Sequence, residues 1–364
     1  MPTETPVLRR PRRWPLVLAA LIVIVVSGLY VARGAIAVAI TSRAVKRSVS
    51  ADISRDLPDG LHAVVCGSGS PMTDTSRAGP CLAVIAGRHV FVVDAGEGSS
   101  EVLAGAGLPP ARVEAVFLTH FHSDHIDGLG AMGLQRWAGG AAKTPLPLFG
   151  PPGVERVAAG FNEAYALDAG YRVAHHGVAA VPPQGAGLSA RPFPQPSGDG
   201  AVVFEEDGVK ITAFAVDHRP VTPAVGYRFD YKGRSLVISG DTDKSAVVMR
   251  QARGADLLVH EALSPRLTAI VAEAAREAGR PNVAKVMSDI PDYHATPAQA
   301  AETAQEAGVR ALMLNHMVPP LRMRALEGPF LEDAPRRFDG PLWIARDGDV
   351  VSMPAGGKDV TLRR

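Results

Sequence analysis

The chain has 364 residues, 46% of them hydrophobic, enough to bury a core as one large domain or two small ones. Its 38 basic and 37 acidic residues give a net charge of +1, so no overall field draws it to nucleic acid, although a local basic patch remains compatible with that balance. Aromatic residues make up 5%, which gives no support to a base-stacking surface.

The first 50 residues differ from the rest. Arg9, Arg10, Arg12 and Arg13 precede an uncharged stretch, residues 14–32, rich in Leu, Val and Ile and about long enough to cross a bilayer as a helix. A cleaved signal peptide is the rival reading, with Ala35, Ile36 and Ala37 as its small-residue site, but the apolar stretch exceeds the usual signal core. The sequence therefore predicts an uncleaved anchor. Arg33, Arg43, Lys46 and Arg47 follow it and nearly cancel the charge bias that would orient it. The expected topology keeps the short tail inside and exports the rest, giving a membrane-anchored, extracytoplasmic (periplasmic) protein. Residues 1–50 then form tail, anchor and linker, and residues 51–364 one large domain.

Strands are predicted at residues 61–66, 81–86, 90–93 and 113–118, with a short helix over 99–105. Gly67-Ser68-Gly69-Ser70-Pro71 is a tight turn and only weak support for phosphate binding. Cys66 ends one strand and Cys81 opens the next; a disulfide and two buried thiols are equally consistent with that placement. His62 and His89, on early strands, read as structural. Residues 129–200 read as an insertion or lid, with a helix over 153–166 and a Pro- and Gly-rich stretch after it. Between residues 141 and 200 four basic residues face four acidic ones, unlike an arm that grips a phosphate backbone. His175 and His176 in that region read as a solvated pair. Further strands follow at 201–204, 209–216, 225–231, 235–239, 256–259 and 311–314, with helices over 265–279 and 296–308, the second opened by a Thr cap and Pro297.

The densest chemistry follows the 113–118 strand. His120, His122, Asp124 and His125 place four metal-competent side chains within six positions. Imidazoles that close repel one another when protonated and make sense together when each gives a lone pair to a cation such as zinc. Four donors do not fill two metal spheres. His218, Asp241 and His316 each stand at the end of a predicted strand and complete the set.

These residues give the chain its resemblance to the metallo-β-lactamase superfamily. The run 120–125 is that family's His-x-His-x-Asp-His signature, and Asp94, His218, Asp241 and His316 follow its order across residues 55–350. Gly226-Tyr227-Arg228, Ser239-Gly240-Asp241-Thr242 and His294-Ala295-Thr296 look closest to the ribonuclease Z branch. Gln135-Arg136-Trp137, residues 174–177 and residues 289–294 look most like its arylsulfatase-like members.

The resemblance implies an α/β fold, a four-layered αββα sandwich behind an N-terminal transmembrane helix, with two zinc ions at one edge; Mn2+ or Fe2+ are the substitutes. His120, His122 and His218 would hold one ion and Asp124, His125 and His316 the other, with Asp241 bridging. Asp124 would also orient the attacking water, and His294 would assist the leaving group, against the alternative that it caps the helix at Thr296. Asp94, His260 and Glu261 would support the ligands from behind. The expected function is a two-zinc hydrolase of phosphate or sulfate esters, favoured as arylsulfatase-like and acting on small molecules, with nucleic acid an unlikely partner and a homodimer compatible with the sequence. The alternatives are a ribonuclease Z-type endonuclease on transfer RNA precursors and a catalytically silent, membrane-anchored binding protein.

Overall fold

The computed structural model describes residues 13–364, so Arg9, Arg10 and Arg12 lie outside the described residues. Two compact units divide the chain, Met1–Ala51 and Asp52–Arg364. In the first, a single helix spans Trp14–Ser50, 37 residues with none buried. It runs well past the apolar stretch 14–32 because residues 33–50 hold no proline and only Gly34 as a weak helix former. At 1.5 Å per residue it is about 55 Å long.

The second unit is built on two sheets. β1 (Gly60–Gly67), β2 (Cys81–Ala86), β3 (His89–Val93), β4 (Ala115–Phe117), β5 (Leu146–Gly150) and β6 (Leu188–Pro192) begin the first. The second comprises β7 (Ala201–Glu206), β8 (Val209–Ala215), β9 (Val225–Tyr231), β10 (Arg234–Ile238), β11 (Leu257–Leu263), β12 (Ala311–Val318) and β13 (Leu342–Ile344). β14 (Val350–Pro354) and β15 (Thr361–Arg363) return to the first, giving the orders β15-β14-β1-β2-β3-β4-β5-β6 and β13-β12-β11-β10-β9-β8-β7.

Alternate residues of each strand face opposite ways, and here both faces are apolar. Leu61, Val65, Phe91 and Phe117 meet Ile211, Tyr227, Phe229 and Leu236 between the sheets. On the outer side of the first sheet, Val64, Val92, Val116 and Leu148 pack with Leu103, Leu129, Met132 and Val154 from helices. Val237, Leu258, Leu312 and Leu314 do the same for the second, against Val248, Ala300, Ala304 and Phe330. The result is helix, sheet, sheet, helix in four layers.

Residues 129–200 are not the separate insertion that their composition suggests. The helix Leu129–Gly140 buries Leu129 and Met132 in the outer core, and β5 and β6 extend the first sheet in parallel beyond β4. β6 escaped notice because it is five residues long and lies at the sheet edge, where its terminal Pro192 costs no ladder bond. The helix after β5 covers Val154–His176, and only Val154 and Ala158 of it are buried.

Cys66 and Cys81 form a disulfide, with Cα atoms 4.9 Å apart, where the β1–β2 register steps between Val65 and Gly67. His62 is buried, with Nδ1 3.0 Å from Ser352 Oγ and Nε2 2.8 Å from Pro58 O. His89 joins the sheets: Nδ1 lies 2.8 Å from Glu114 Oε2, and Nε2 lies 3.2 Å from Asp207 Oδ2 in the β7–β8 turn. Burial disfavours its charged form, but Glu114 and Asp207 outweigh that and raise its pKa.

Two outcomes follow. Replacing both cysteines with Ala releases a loop of 15 residues and should cost about 3 kcal/mol in denaturant unfolding under oxidising conditions; an unchanged midpoint refutes this. A raised folded-state pKa means that the His89 contribution is complete below the unfolded value of about 6.5 and is lost as pH rises through the folded one. The stability gap between the native chain and His89→Gln should therefore narrow as pH is raised, measured by urea titration; a widening gap contradicts it.

Candidate metal centre

β3, β4 and β5 run parallel in the first sheet, and β8, β10, β11 and β12 share one direction in the second. The loops at their C-terminal ends therefore gather at one edge, where open α/β sheets place ligands. Asp94 follows β3; His120 and His122 follow β4, with Asp124 and His125 on the short helix Ser123–Ile126. His218 follows β8, and Asp241 follows β10. His316 lies within β12, where the register steps from Glu261–Asn315 to Ala262–Met317 and leaves it as the extra residue, at φ 48°. That bulge turns its side chain toward the other donors.

Close backbone approach fixes the loops. A Cβ on Gly96 would sit 2.3 Å from the carbonyl oxygen of Asp124, and one on Gly240, at φ 63°, would sit 2.7 Å from Val225 O. Both positions need glycine.

All seven donors converge. His120, His122, His218 and Asp241 each offer an atom within 4.8 Å of the others, and so do Asp124, His125 and His316. Asp241 Oδ2 lies 3.2 Å from His316 Nε2, 3.4 Å from His125 Nε2, and 3.9 Å from both His120 Nε2 and His218 Nε2. His316 Nε2 is also 3.3 Å from Asp124 Oδ2. His120 Nε2 and His122 Nδ1 face each other at 3.0 Å.

The hydrogen bonds behind the donors fit a cation in front of them. His125 Nδ1–H donates to Asp94 Oδ2 at 2.8 Å, and His218 Nδ1–H to Tyr293 O at 3.1 Å. Thr119 Oγ1 donates to Asp94 Oδ2 at 2.8 Å and stands 3.1 Å from His120 Nδ1. With the Thr119 proton on Asp94, His120 Nδ1–H donates to Thr119 Oγ1, so all three rings keep a lone pair on Nε2. Nε2 of His125 and of His218 is buried without a hydrogen-bond partner among the described residues. Buried nitrogens left that way are costly unless a metal takes the lone pair.

Charge points the same way. Burial favours a protonated Asp241, but His316, His125 and His120 outweigh it and hold the carboxyl well below its usual range. Burial likewise opposes a charged His125, yet Asp241, Asp94 and Asp124 push its pKa well up. Carboxylates that favour an imidazolium favour any cation set among them.

His294 lies 3.1 Å through Nδ1 from Glu261 Oε1 and groups with Asp241 and His316. Burial lowers its pKa, Glu261 raises it, and the outcome is about 9. It does not cap the following helix, since Thr296 and Gln299 form that capping box themselves. Glu261 Oε1 accepts from Thr242 N and Ala295 N, tying the Asp241 loop to the His294 loop. His260 is fully buried, with Nδ1–H donating to Glu261 O. His175 and His176 end the helix Val154–His176, exposed and outside the donor groups. Sequence reasoning missed Thr119 and Tyr293. Thr119 adjoins the motif, but Tyr293 acts through its carbonyl, which no residue type announces.

Residues 89–317 match the family described as the beta-lactamase superfamily domain. The chain belongs to the metallo-β-lactamase superfamily. A ribonuclease Z of Mycobacterium avium is 37% identical over 297 residues, 81% of this chain and 99% of the relative. One from Mycolicibacterium gilvum is 37% identical over 299 residues, covering 81% and 97%. Among solved structures, the metallo-beta-lactamase fold protein YhfI of Bacillus subtilis superimposes with TM-score 0.58 at 19% identity, covering 80% of this chain and 99% of that one. The short form of human tRNase Z gives 0.56 at 20%, over the same shares.

This superfamily member is thus a metal-dependent hydrolase of ester bonds. Its relatives overturn two expectations, a small-molecule ester as substrate and nucleic acid as an unlikely partner, because the proteins it resembles in sequence are ribonucleases by name. Replacing Asp94 with Asn should weaken divalent metal binding about 10- to 100-fold by freeing the His125 ring and Thr119. Competition with a chromogenic chelator measures this, and native affinity in the variant would show that Asp94 holds nothing in place.

Proposed function

We propose that this protein is a ribonuclease Z-type phosphodiesterase that cleaves RNA, transfer RNA precursors being the type substrate, at a two-zinc centre. The observation that carries the reading is the pair of donor groups meeting at the single carboxylate of Asp241, in a chain 37% identical to a ribonuclease Z along nearly that relative's whole length. His120, His122 and His218 would hold one ion and Asp124, His125 and His316 the other, with the Asp241 carboxylate within reach of both groups. When bound, the zinc pair polarises a water for attack at neutral pH and neutralises charge growing on the phosphoryl oxygens.

The chain's own residues do the rest. Asp124 directs the attacking water. Asp94 and the Tyr293 carbonyl keep the imidazoles in the tautomer that offers Nε2. His294, held by Glu261, donates a proton to the leaving oxygen. A silent binding protein fits less well, since drift in an idle site would not keep all seven donors.

We further propose that the helix Trp14–Ser50 anchors the enzyme in a membrane, with the domain on the side where RNA is available to it. The uncharged, apolar stretch 14–32 within that 37-residue helix supports the anchor.

The zinc-loaded full chain in detergent should cleave precursor tRNA and leave aryl sulfate untouched. His294→Ala should lower kcat about 100- to 10,000-fold while keeping its zinc. Turnover of aryl sulfate without any RNA cleavage would reject the ribonuclease reading.

A further inference from the structure

Next to the groove that leads to Asp124 lies a basic cleft that takes no part in the chemistry above. Its volume is about 240 Å3, and Arg77, Arg322, Arg324 and Arg346 line it together with Glu327 and Asp347. The arginines come from three distant segments: the loop between β1 and β2, the loop after β12, and the loop between β13 and β14.

The two carboxylates offset the four guanidinium groups only in part. Glu327 Oε1 pairs with Arg346 at 2.7 Å, the one ion pair inside the cleft among the described residues. Asp347 forms no ion pair with the arginines among the described residues; it accepts from Ser68 N, Ser68 Oγ and Ala78 N, and its charge still acts on the nearby Arg77. Arg77 is half-buried and bonds only to neutral oxygens, Ser68 Oγ at 2.6 Å and Ala345 O at 2.7 Å. Arg322 donates to Thr73 O at 3.1 Å, and both Arg322 and Arg324 are exposed. Three guanidinium groups in no ion pair among the described residues leave this small cleft net positive and open to oxyanions.

The cleft adjoins a groove that reaches one of the metal donors, Asp124. Ser76, Arg77 and Asp347 also line that groove, of about 620 Å3, whose far wall contains Ser123 and Asp124. An extended anionic chain lying in the cleft passes Arg77 on its way to Asp124. The groove itself bears Asp74, Glu97 and Asp127, so the arginine side is where a polyanion is favoured.

We infer that the cleft binds backbone phosphates of the RNA strand beside the scissile bond, with Arg77, Arg322 and Arg324 each contacting phosphate oxygen. The inference rests on the ribonuclease reading and adds where the strand lies. Contacts of this kind set position and affinity rather than sequence preference.

The opposite end of the strands supplies a control. Arg88, in the β2–β3 turn, lies at the far end of β3 from Asp94. The experiment measures cleavage of a structured RNA by the zinc-loaded full chain over a series of salt concentrations. In the double variant Arg322→Ala/Arg324→Ala, KM at low salt should rise about ten-fold, and the slope of log kcat/KM against log salt should become shallower by about 2, one per arginine. Arg324→Glu alone should raise KM further than Arg324→Ala, and Arg88→Ala should keep the native KM and slope. Because Arg322 and Arg324 are exposed, the variants should keep the native thermal midpoint, which separates lost binding from lost folding. Native KM and slope in the double variant overturn the cleft while leaving the ribonuclease reading intact, as does an equal loss in Arg88→Ala. Absence of any RNA cleavage by the native chain overturns the ribonuclease reading and the cleft with it.

Discussion

One buried carboxylate sets the terms for this structure. Asp241 Oδ2 lies between 3.2 and 3.9 Å from four imidazoles, and almost no water reaches it. Uncompensated buried charge costs several kcal/mol per ion, and Asp241, with Asp124 and Asp94 beside it, cannot balance five imidazolium rings. Against burial, Asp241, Asp94 and Asp124 favour protonation of His125, but burial and the neighbouring rings hold His120 well below its usual range, so the rings cannot all be charged together. A divalent cation resolves the conflict, because each imidazole then stays neutral and its lone pair has a partner.

Holding such a cluster open falls to residues that do not face it. Left alone, donors this close would turn their rings to bond with one another, as His120 and His122 already do at 3.0 Å. Asp94 opposes that by drawing on His125 Nδ1 and on Thr119 at once. Glu261 does the corresponding work in the second sheet by pinning Thr242 and Ala295. Two non-glycine residues of the site, Asp94 and His316, adopt positive φ. Each such residue costs on the order of 1–3 kcal/mol, which the apolar layers between and outside the sheets have to offset.

Legibility in the sequence follows from how local each feature is. The 120–125 run is visible because its donors are adjacent, and His218, Asp241 and His316 are visible because apolar strands point at them. β5 and β6 are hidden by short length and by a proline in each, Pro147 and Pro192, and the bulge that turns His316 has no residue signature at all. Net charge misled for a different reason. Counting over residues 141–200 tests one contiguous segment, whereas Arg77, Arg322, Arg324 and Arg346 are distant in sequence and meet only in the fold. A composition of +1 is silent about four arginines sharing one cleft.

The disulfide links these levels. The loop that Cys66 and Cys81 close carries Arg77 and, from Ser70 to Gly79, one wall of the groove that ends at Asp124. Pro80 O and Glu97 O accept bonds from Gly96 N and Gly79 N, so the end of that loop packs on the backbone beside Asp124. A 15-residue loop tied at its base samples fewer conformations both unfolded and folded. Side chains on its inner face therefore meet a substrate already in place, which cuts the ordering cost of binding. The covalent bond that ties the base of this loop thus joins the stability of the domain to the wall of its groove.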